Sequence, residues 1–125
     1  MRGLLLDVKN NRVEVIQSEA DFELEEYYRF LDCDTIDIVR RKIGSRYYDI
    51  VCDDEGLLKS GYRVSAVDRN LNGMLVGNLF IRGQAKDGEM TNLRPMDIDY
   101  IMERIVFVQT EQCPLGYWVL TDCDY

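Results

Sequence analysis

Histidine is absent from this chain of 125 residues, and its absence removes several classes of active site at once. A Ser-His-Asp or Cys-His nucleophile needs an imidazole base, the side chain that most often exchanges protons near neutral pH. Carboxylate, lysine, tyrosine and cysteine chemistry stays open, but no motif points to it. The sequence therefore favours a protein without enzymatic activity.

Paired metal-ligand spacing is also missing, because no two of the four cysteines form a Cys-x-x-Cys motif. Without histidine, a zinc site would need four scattered ligands. A chain long enough to build its own core also has little need of disulfides. We therefore expect free thiols, no metal and no cofactor. The cysteines are Cys33, Cys52, Cys113 and Cys123.

Two acidic patterns offer alternative cation sites. Residues 53–56 read Asp-Asp-Glu-Gly, and the tripeptide Asp-Cys-Asp occurs at residues 32–34 and again at residues 122–124. Hard cations bind carboxylate oxygens, but the first run lacks the spacing of a calcium loop, and the tripeptides would have to meet in space. A solvated turn, a helix end and a chain terminus explain the same patterns more simply.

Long hydrophobic runs are lacking, and the apolar stretch at residues 1–6 is too short for a secretory signal. The sequence thus predicts a cytoplasmic protein that does not enter a membrane. Its length suits one domain, residues 1–125. The formal charge of −8 disfavours direct nucleic-acid binding, because phosphate backbones repel an acidic surface.

Two helices are predicted from apolar side chains at helical spacing. The first covers residues 19–31, where such side chains recur at i, i+3, i+4 and i+7 after a capping pattern at Ser18 and Asp21. The second opens at Pro95, with Asp97 in its first turn.

Strands are predicted on either side of these helices. The clearest hairpin joins residues 35–43 and 46–52 across Gly44-Ser45, and another joins residues 3–8 and 12–16 across Asn10-Asn11. Residues 57–73 are predicted as a long loop with room for one helical turn at residues 57–59, and residues 83–92 as a polar loop with Asp87-Gly88 at its tip. Further strands are predicted at residues 75–82, 106–109 and 117–121. The result is an α+β fold, a mostly antiparallel sheet of six or seven short strands with two helices on one face.

One local feature suggests a binding site. Gly77 and Asn78 interrupt the apolar strand at residues 75–82, where an amide is unfavourable unless it bonds to a loop backbone or to a ligand. The polar loop at residues 62–72 could lie beside it, and long loops are often functional. The candidate ligand contacts are Asn78, Arg63, Arg69, Asn70 and Asn72. The alternative is that the Asn78 amide serves the fold alone.

The order of these elements resembles a family of small proteins, domain-of-unknown-function family 3846. The resemblance spans roughly residues 3–105. It is carried by Leu24-x-x-Tyr27-Tyr28-x-x-Leu31-x-Cys33-x-x-Ile36-x-Ile38-Val39, Tyr48-x-Ile50-x-Cys52-Asp53-Asp54-Glu55-Gly56-Leu57-Leu58, Asn70, Asn72, Leu75-Val76-Gly77-Asn78-Leu79-x-Ile81 and Asp97-Ile98. It implies a product of phages, plasmids or conjugative elements of Firmicutes, and it implies no activity.

Three functions follow as expectations. The first is a non-enzymatic accessory protein of a mobile genetic element that binds a protein partner or itself. The second is a protein that binds or sequesters a small molecule such as a nucleotide. The third is an acidic DNA mimic that counters host defence by occupying proteins that bind nucleic acid.

Overall fold

The computed structural model describes residues 1–84 and 92–125, which form two α-helices, ten strands and one turn of 3-10 helix. The helices are α1 (Leu24–Leu31) and α2 (Pro95–Met102), and the 3-10 turn is Gly56–Leu58. The strands are β1 (Arg2–Asp7), β2 (Arg12–Gln17), β3 (Ile36–Ile43), β4 (Arg46–Asp53), β5 (Val64–Val67), β6 (Gly73–Val76), β7 (Leu79–Arg82), β8 (Ile105–Val108), β9 (Tyr117–Leu120) and β10 (Cys123–Asp124).

The strands form two sheets. The larger has the order β10-β3-β4-β7-β1-β2, and all its neighbours are antiparallel. The smaller has the order β6-β5-β9-β8, in which β5 and β9 run parallel and the other neighbours antiparallel. The α+β class and the mainly antiparallel pairing predicted from the sequence are therefore confirmed.

The centre of the larger sheet is buried on both faces, because successive side chains of β1, β4 and β7 point to opposite sides and are buried. On one side Leu5 and Phe80 join the α1 side chains Tyr27 and Leu31 in a cluster. On the other side the alternate residues of the same strands pack against the smaller sheet and Ile101 of α2. The two helices thus cover opposite faces of the larger sheet, and the prediction that both lie on one face is wrong. Successive residues of β1, β4 and β7 are apolar, so each face of these strands presents apolar side chains that need cover.

The strand count is higher than predicted for three reasons. The segment predicted as a loop at residues 57–73 contains β5, and Cys123–Asp124 pairs with β3 as β10. The single strand predicted at residues 75–82 is two strands in different sheets. Gly77 makes that break possible, since its φ of 74° belongs to the left-handed region that glycine adopts at low cost.

Two further predictions concern helix and hairpin boundaries. The β3–β4 hairpin turns at Gly44-Ser45 as predicted, and Gly44 has the positive φ of 62° that a type II′ turn needs. Helix α1 begins at Leu24 rather than near residue 19. The Ser18 backbone N–H instead donates to the Met1 carbonyl (2.8 Å), which prolongs the β1–β2 pairing to Ser18, and the chain bends at residues 19–20 before α1. The predicted Asp87-Gly88 loop tip lies outside the described residues.

No helix in the described part of the chain combines the length and the hydrophobicity that a membrane crossing requires.

Asp97 ties α2 to the larger sheet. One of its carboxylate oxygens accepts a hydrogen bond from the Tyr48 hydroxyl (2.8 Å), and the other accepts from the backbone and side chain of Arg94 (3.0 Å each). Burial by itself raises the pKa of Asp97, but these hydrogen bonds outweigh it and hold that pKa below its usual value. Burial and the hydrogen bond to Asp97 raise the pKa of Tyr48 to about 12.

We expect Asp97→Asn to lower the free energy of unfolding at pH 7 by about 1–2 kcal/mol, because charge-assisted hydrogen bonds are lost. A lowered folded pKa adds stability above the unfolded pKa of about 3.9, and that stability is lost as pH falls through the folded value. The difference between wild type and variant should therefore shrink at pH 3. Urea unfolding at both pH values measures it, with the exposed Asp99→Asn as the matched control on α2. An equal difference at both pH values would contradict this account.

Candidate functional site

The break between β6 and β7 places a polar side chain where the two sheets meet. Asn78 follows Gly77 directly and is only 3% exposed. Its carbonyl oxygen accepts hydrogen bonds from the backbone N–H groups of Val8 (2.9 Å) and Lys9 (3.3 Å). Its amide nitrogen donates to Asp7 Oδ1 (3.0 Å) and to the Phe30 carbonyl (3.0 Å). The amide therefore holds the β1–β2 turn against the end of α1.

Asp7 is the charged member of this network. Its two oxygens accept hydrogen bonds from the side chain and backbone of Asn10, and the Arg12 guanidinium lies 3.3 Å away. Burial raises the pKa of Asp7, but the hydrogen bonds from Asn10 and Asn78 and the charge of Arg12 outweigh burial and lower it overall. The Asp7 carboxylate therefore places a negative charge next to the β1–β2 turn.

Arg63 lies on the other side of the same turn. Its Nη1 donates to the Val8 carbonyl (2.8 Å), and its guanidinium carbon lies 5.5 Å from the centre of the Tyr117 ring. The Arg63 carbonyl in turn accepts from the Gly77 N–H (2.9 Å). The structure therefore brings together Asn78 and Arg63, two of the five residues predicted as ligand contacts.

A cavity of about 290 Å³ opens between these residues and the segment after β4, and we call it the small cavity. It is lined by Val8, Lys9, Leu31, Asp53, Gly56, Lys59, Ser60, Gly61, Tyr62, Arg63, Gly77 and Asn78. Three cationic side chains and one carboxylate stand in this lining. The cavity is thus a basic spot on a chain whose formal charge is −8.

Two ion pairs position the lysines of the small cavity. Lys9 Nζ lies 2.6 Å from Asp32 Oδ2, and Lys59 Nζ lies 2.6 Å from Asp53 Oδ2. Lys59 also donates to the Asp32 carbonyl (3.3 Å). The hydrogen bond with Asp53 raises the pKa of Lys59, so its ammonium stays charged. The Lys59 ammonium is therefore held at the small cavity beside Asp53, whereas the Lys9 ammonium lies beside Asp32, which is not among the described lining residues.

The other three predicted ligand residues lie elsewhere, in the turn between β5 and β6. The Asp68 carboxylate organises this turn by accepting from the backbone of Asn70 (2.9 Å) and from the backbone and side chain of Asn72 (2.9 and 3.2 Å). Arg69 pairs with Asp122 (2.8 Å). None of the three lines the small cavity.

A second, larger depression of about 690 Å³ lies between β6 and the adjacent end of β3 and β4, and we call it the β6 groove. Its base includes Asp37, Val39 and Arg41, which lie on one face of β3 because they alternate along the strand. Leu57, Leu58 and Tyr62 also line it. The remaining lining residues are Cys52, Asp53, Asp54, Glu55, Gly56, Val64, Gly73, Met74, Leu75 and Val76.

The β6 groove combines exposed apolar side chains with carboxylates. Leu57, Leu58 and Tyr62 are 69%, 82% and 50% exposed. Asp37, Asp53, Asp54 and Glu55 stand in its lining against a single cation, Arg41. Strand β6 is an edge of the smaller sheet, with no strand beyond it in the described part of the chain. The groove therefore offers backbone hydrogen-bonding groups, apolar contacts and negative charge together.

The sequence patterns did not single out the side chains after β4 that line the two cavities. The prediction of a long loop at residues 57–73 concealed that Leu57, Leu58 and Lys59 stand between two cavities. The available signal was the pair of adjacent leucines, which follow the acidic turn at residues 53–55 after a single glycine. Lys9 was missed because a hairpin turn gives no reason to single out its lysine.

The cysteines and acidic patterns are distributed over the fold. All four thiols are free, with Cys52 and Cys123 buried. Burial raises the pKa of Cys52 to about 11 and that of Cys123 to about 12. Cys33 and Cys123 belong to clusters on opposite faces of the larger sheet, so the two Asp-Cys-Asp tripeptides do not meet. Within residues 1–84 and 92–125, no group of three or more metal-ligating side chains is close enough to hold an ion.

Comparison with protein families identifies a family for most of the chain. The profile of a family described as "Domain of unknown function (DUF3846)" matches residues 1–106 of the chain. Comparison with curated proteins and with solved structures gives no match.

Proposed function

The chain belongs to the DUF3846 family, and we propose that it acts without catalysis, by binding an extended segment of a partner protein in the β6 groove. The observation that carries this proposal is the free edge of β6 beside Leu57, Leu58 and Tyr62. An extended peptide can add to such an edge through main-chain hydrogen bonds, while pockets beside the edge select alternate side chains.

The charges of the groove specify the partner further. Carboxylates of Asp37, Asp54 and Glu55 face a ligand with only Arg41 as a counter-charge in the lining. A partner segment with apolar residues at alternate positions and a lysine or arginine beside them satisfies both features. The free energy of binding would come mainly from Leu57, Leu58 and Tyr62, since buried apolar and aromatic anchors dominate such interfaces.

A selection from a library of random twelve-residue peptides displayed on phage tests this directly. We expect enriched peptides to alternate apolar residues and to carry a net positive charge. Leu58→Ser should weaken a selected peptide at least tenfold, because Leu58 is 82% exposed beside the groove. Asp54→Lys should weaken it several-fold, and more at low salt than at high salt.

Leu115→Ser is the matched control, because Leu115 is 87% exposed and does not line the groove. It should leave peptide binding unchanged. Selected peptides without basic residues, or an equal loss for both leucine variants, would overturn the proposal. If size-exclusion chromatography shows a dimer that Leu58→Ser dissociates, the occupant of the groove is a second copy of this chain.

The cellular setting is part of the same proposal. We place the protein in the cytoplasm, where reducing conditions keep thiols such as those of its four cysteines free. Its proposed origin, on a phage, plasmid or conjugative element, is supported by the family resemblance alone. This origin can be tested by identifying the genes that flank this coding sequence and the coding sequences of its relatives. Genes of a phage, plasmid or conjugative element are expected there.

A further inference from the structure

We propose that the small cavity is a binding site for a phosphate-bearing small molecule. This inference does not rest on peptide binding in the β6 groove, although Asp53, Gly56 and Tyr62 line both sites. It deepens the nucleotide alternative that the sequence raised, and it assigns the phosphate contacts to Lys9, Lys59 and Arg63 rather than to residues of the β5–β6 turn.

The first argument is charge. Lys9, Lys59 and Arg63 come from three separate parts of the chain and converge on one cavity. Among the lining residues that the structure describes, Asp53 is the carboxylate, and Asp32 pairs with Lys9 beside the cavity. Cations that meet around a concave space attract an anion more strongly than the same cations spread over a convex surface.

The second argument is that the cations are held in place before a ligand arrives. The buried carboxylate of Asp53 holds the Lys59 ammonium at 2.6 Å, and the Val8 carbonyl holds one end of the Arg63 guanidinium at 2.8 Å. The Lys9 ammonium lies 2.6 Å from Asp32 in an exposed ion pair. Positioned donors lose less conformational entropy when an anion binds than free lysines do. A phosphate offers several acceptor oxygens, so it can engage three such donors at once.

The third argument is space for a close approach. The cavity of about 290 Å³ is larger than a phosphate group needs. Gly61 and Gly77 line it with φ values of 72° and 74°, and a Cβ at either position would meet no atom within 4 Å. The backbone is therefore open to a ligand at both glycines. The Tyr62 ring, which is 50% exposed, stands at the same cavity and offers a face on which a nucleobase can stack.

Asn78 has a supporting part in this site. Four hydrogen bonds to the chain occupy its amide, so it fixes the Val8–Lys9 turn instead of contacting the ligand. The Lys9 ammonium and the Val8 carbonyl that holds Arg63 both depend on that turn.

Isothermal titration calorimetry of the full chain with three probes tests the proposal. The probes are adenosine monophosphate, inorganic phosphate and adenosine. We expect the monophosphate to bind, and adenosine to bind at least tenfold more weakly because it lacks the charged group. Lys9→Gln and Lys59→Gln should each weaken monophosphate binding about fivefold to tenfold, since each removes a charge-assisted contact. Raising the salt concentration should weaken binding further.

Lys42→Gln is the matched control, because it removes the same charge from β3 at a position that does not line the cavity. It should change the affinity less than twofold, and thermal melting of each variant confirms that the fold is retained. Inorganic phosphate that binds as tightly as the monophosphate supports the site and names free phosphate as its ligand. No heat with either phosphate probe at millimolar concentration overturns the proposal. An equal loss in the Lys42 variant, or equal binding of adenosine, also overturns it.

Discussion

Replacing Asn78 by alanine should lower the free energy of unfolding by about 3–4 kcal/mol, a large part of the 5–15 kcal/mol that stabilises a typical domain. The substitution leaves the buried Val8 N–H without its acceptor at 2.9 Å and the Phe30 carbonyl without its donor at 3.0 Å. It also removes one of the hydrogen bonds that lower the pKa of Asp7. Each buried polar group without a partner costs about 1–3 kcal/mol. Urea unfolding measures the change.

Asn72→Ala is the control for this experiment, because it removes the same side chain from an exposed turn. The Asn72 amide nitrogen reaches only Asp68, at 3.2 Å on the surface, so we expect a loss of no more than about 0.5 kcal/mol. Similar losses for the two variants would show that the Asn78 network contributes little to stability. Asn78→Asp should also destabilise at neutral pH, because it puts a second carboxylate 3.0 Å from Asp7 Oδ1.

Phe80→Ala should cost about 4 kcal/mol, the second large effect. Phe80 is completely buried in the centre of β7, and its ring lies 5.1 Å from Phe22, 5.5 Å from Tyr27 and 5.3 Å from Phe30 between centroids. Truncation removes these contacts and leaves a cavity beneath α1, where the rigid sheet cannot collapse to fill the space. Thermal or urea unfolding measures the loss.

Two comparisons sharpen this second prediction. Phe107→Ala should cost only about 1 kcal/mol, because that ring is 45% exposed and packs edge-on against Trp118 and beside Gly116. Gly3→Ala should destabilise the wild type, since its Cβ would lie 2.2 Å from Phe80 Cζ. In the Phe80→Ala background, Gly3→Ala should cost much less, because the ring that it would meet is gone. The loss of unfolding free energy in the double variant should therefore be smaller than the sum of the two single losses. If the losses of unfolding free energy were strictly additive, the space beside Gly3 would not be needed for the Phe80 ring.

Local patterns were sufficient for the elements whose signals lie close together in the chain. The Gly44-Ser45 hairpin and the opening of α2 at Pro95 depend on turn and cap chemistry within a few residues, and both were predicted. The start of α1 at Leu24 was not predicted, because it depends on the pairing of Ser18 with Met1, a residue distant in the sequence. The sequence did not predict that residues 75–82 divide between two sheets. It showed only that Gly77 interrupts an apolar strand.

The candidate sites divide in the same way. An asparagine within an apolar strand marked a special position, and the structure gives the reason in the four partners of Asn78. The structure places Arg63 at the same cavity as Asn78. Arg69, Asn70 and Asn72 were grouped with it only because they follow in sequence, and the β5–β6 turn carries them to another surface.

The sequence by itself determined the α+β class, the hairpins, the acidic charge, the absence of imidazole chemistry and the family, because each depends on composition or on residues near one another in the chain. Only the tertiary structure decided that the two helices cover opposite faces of one sheet. It alone brought Lys9, Lys59 and Arg63 to one cavity and left β6 as an open edge beside exposed leucines. The physical reason is that these arrangements follow from pairing between distant strands, and a strand pattern specifies which face is apolar but not which partner will cover it.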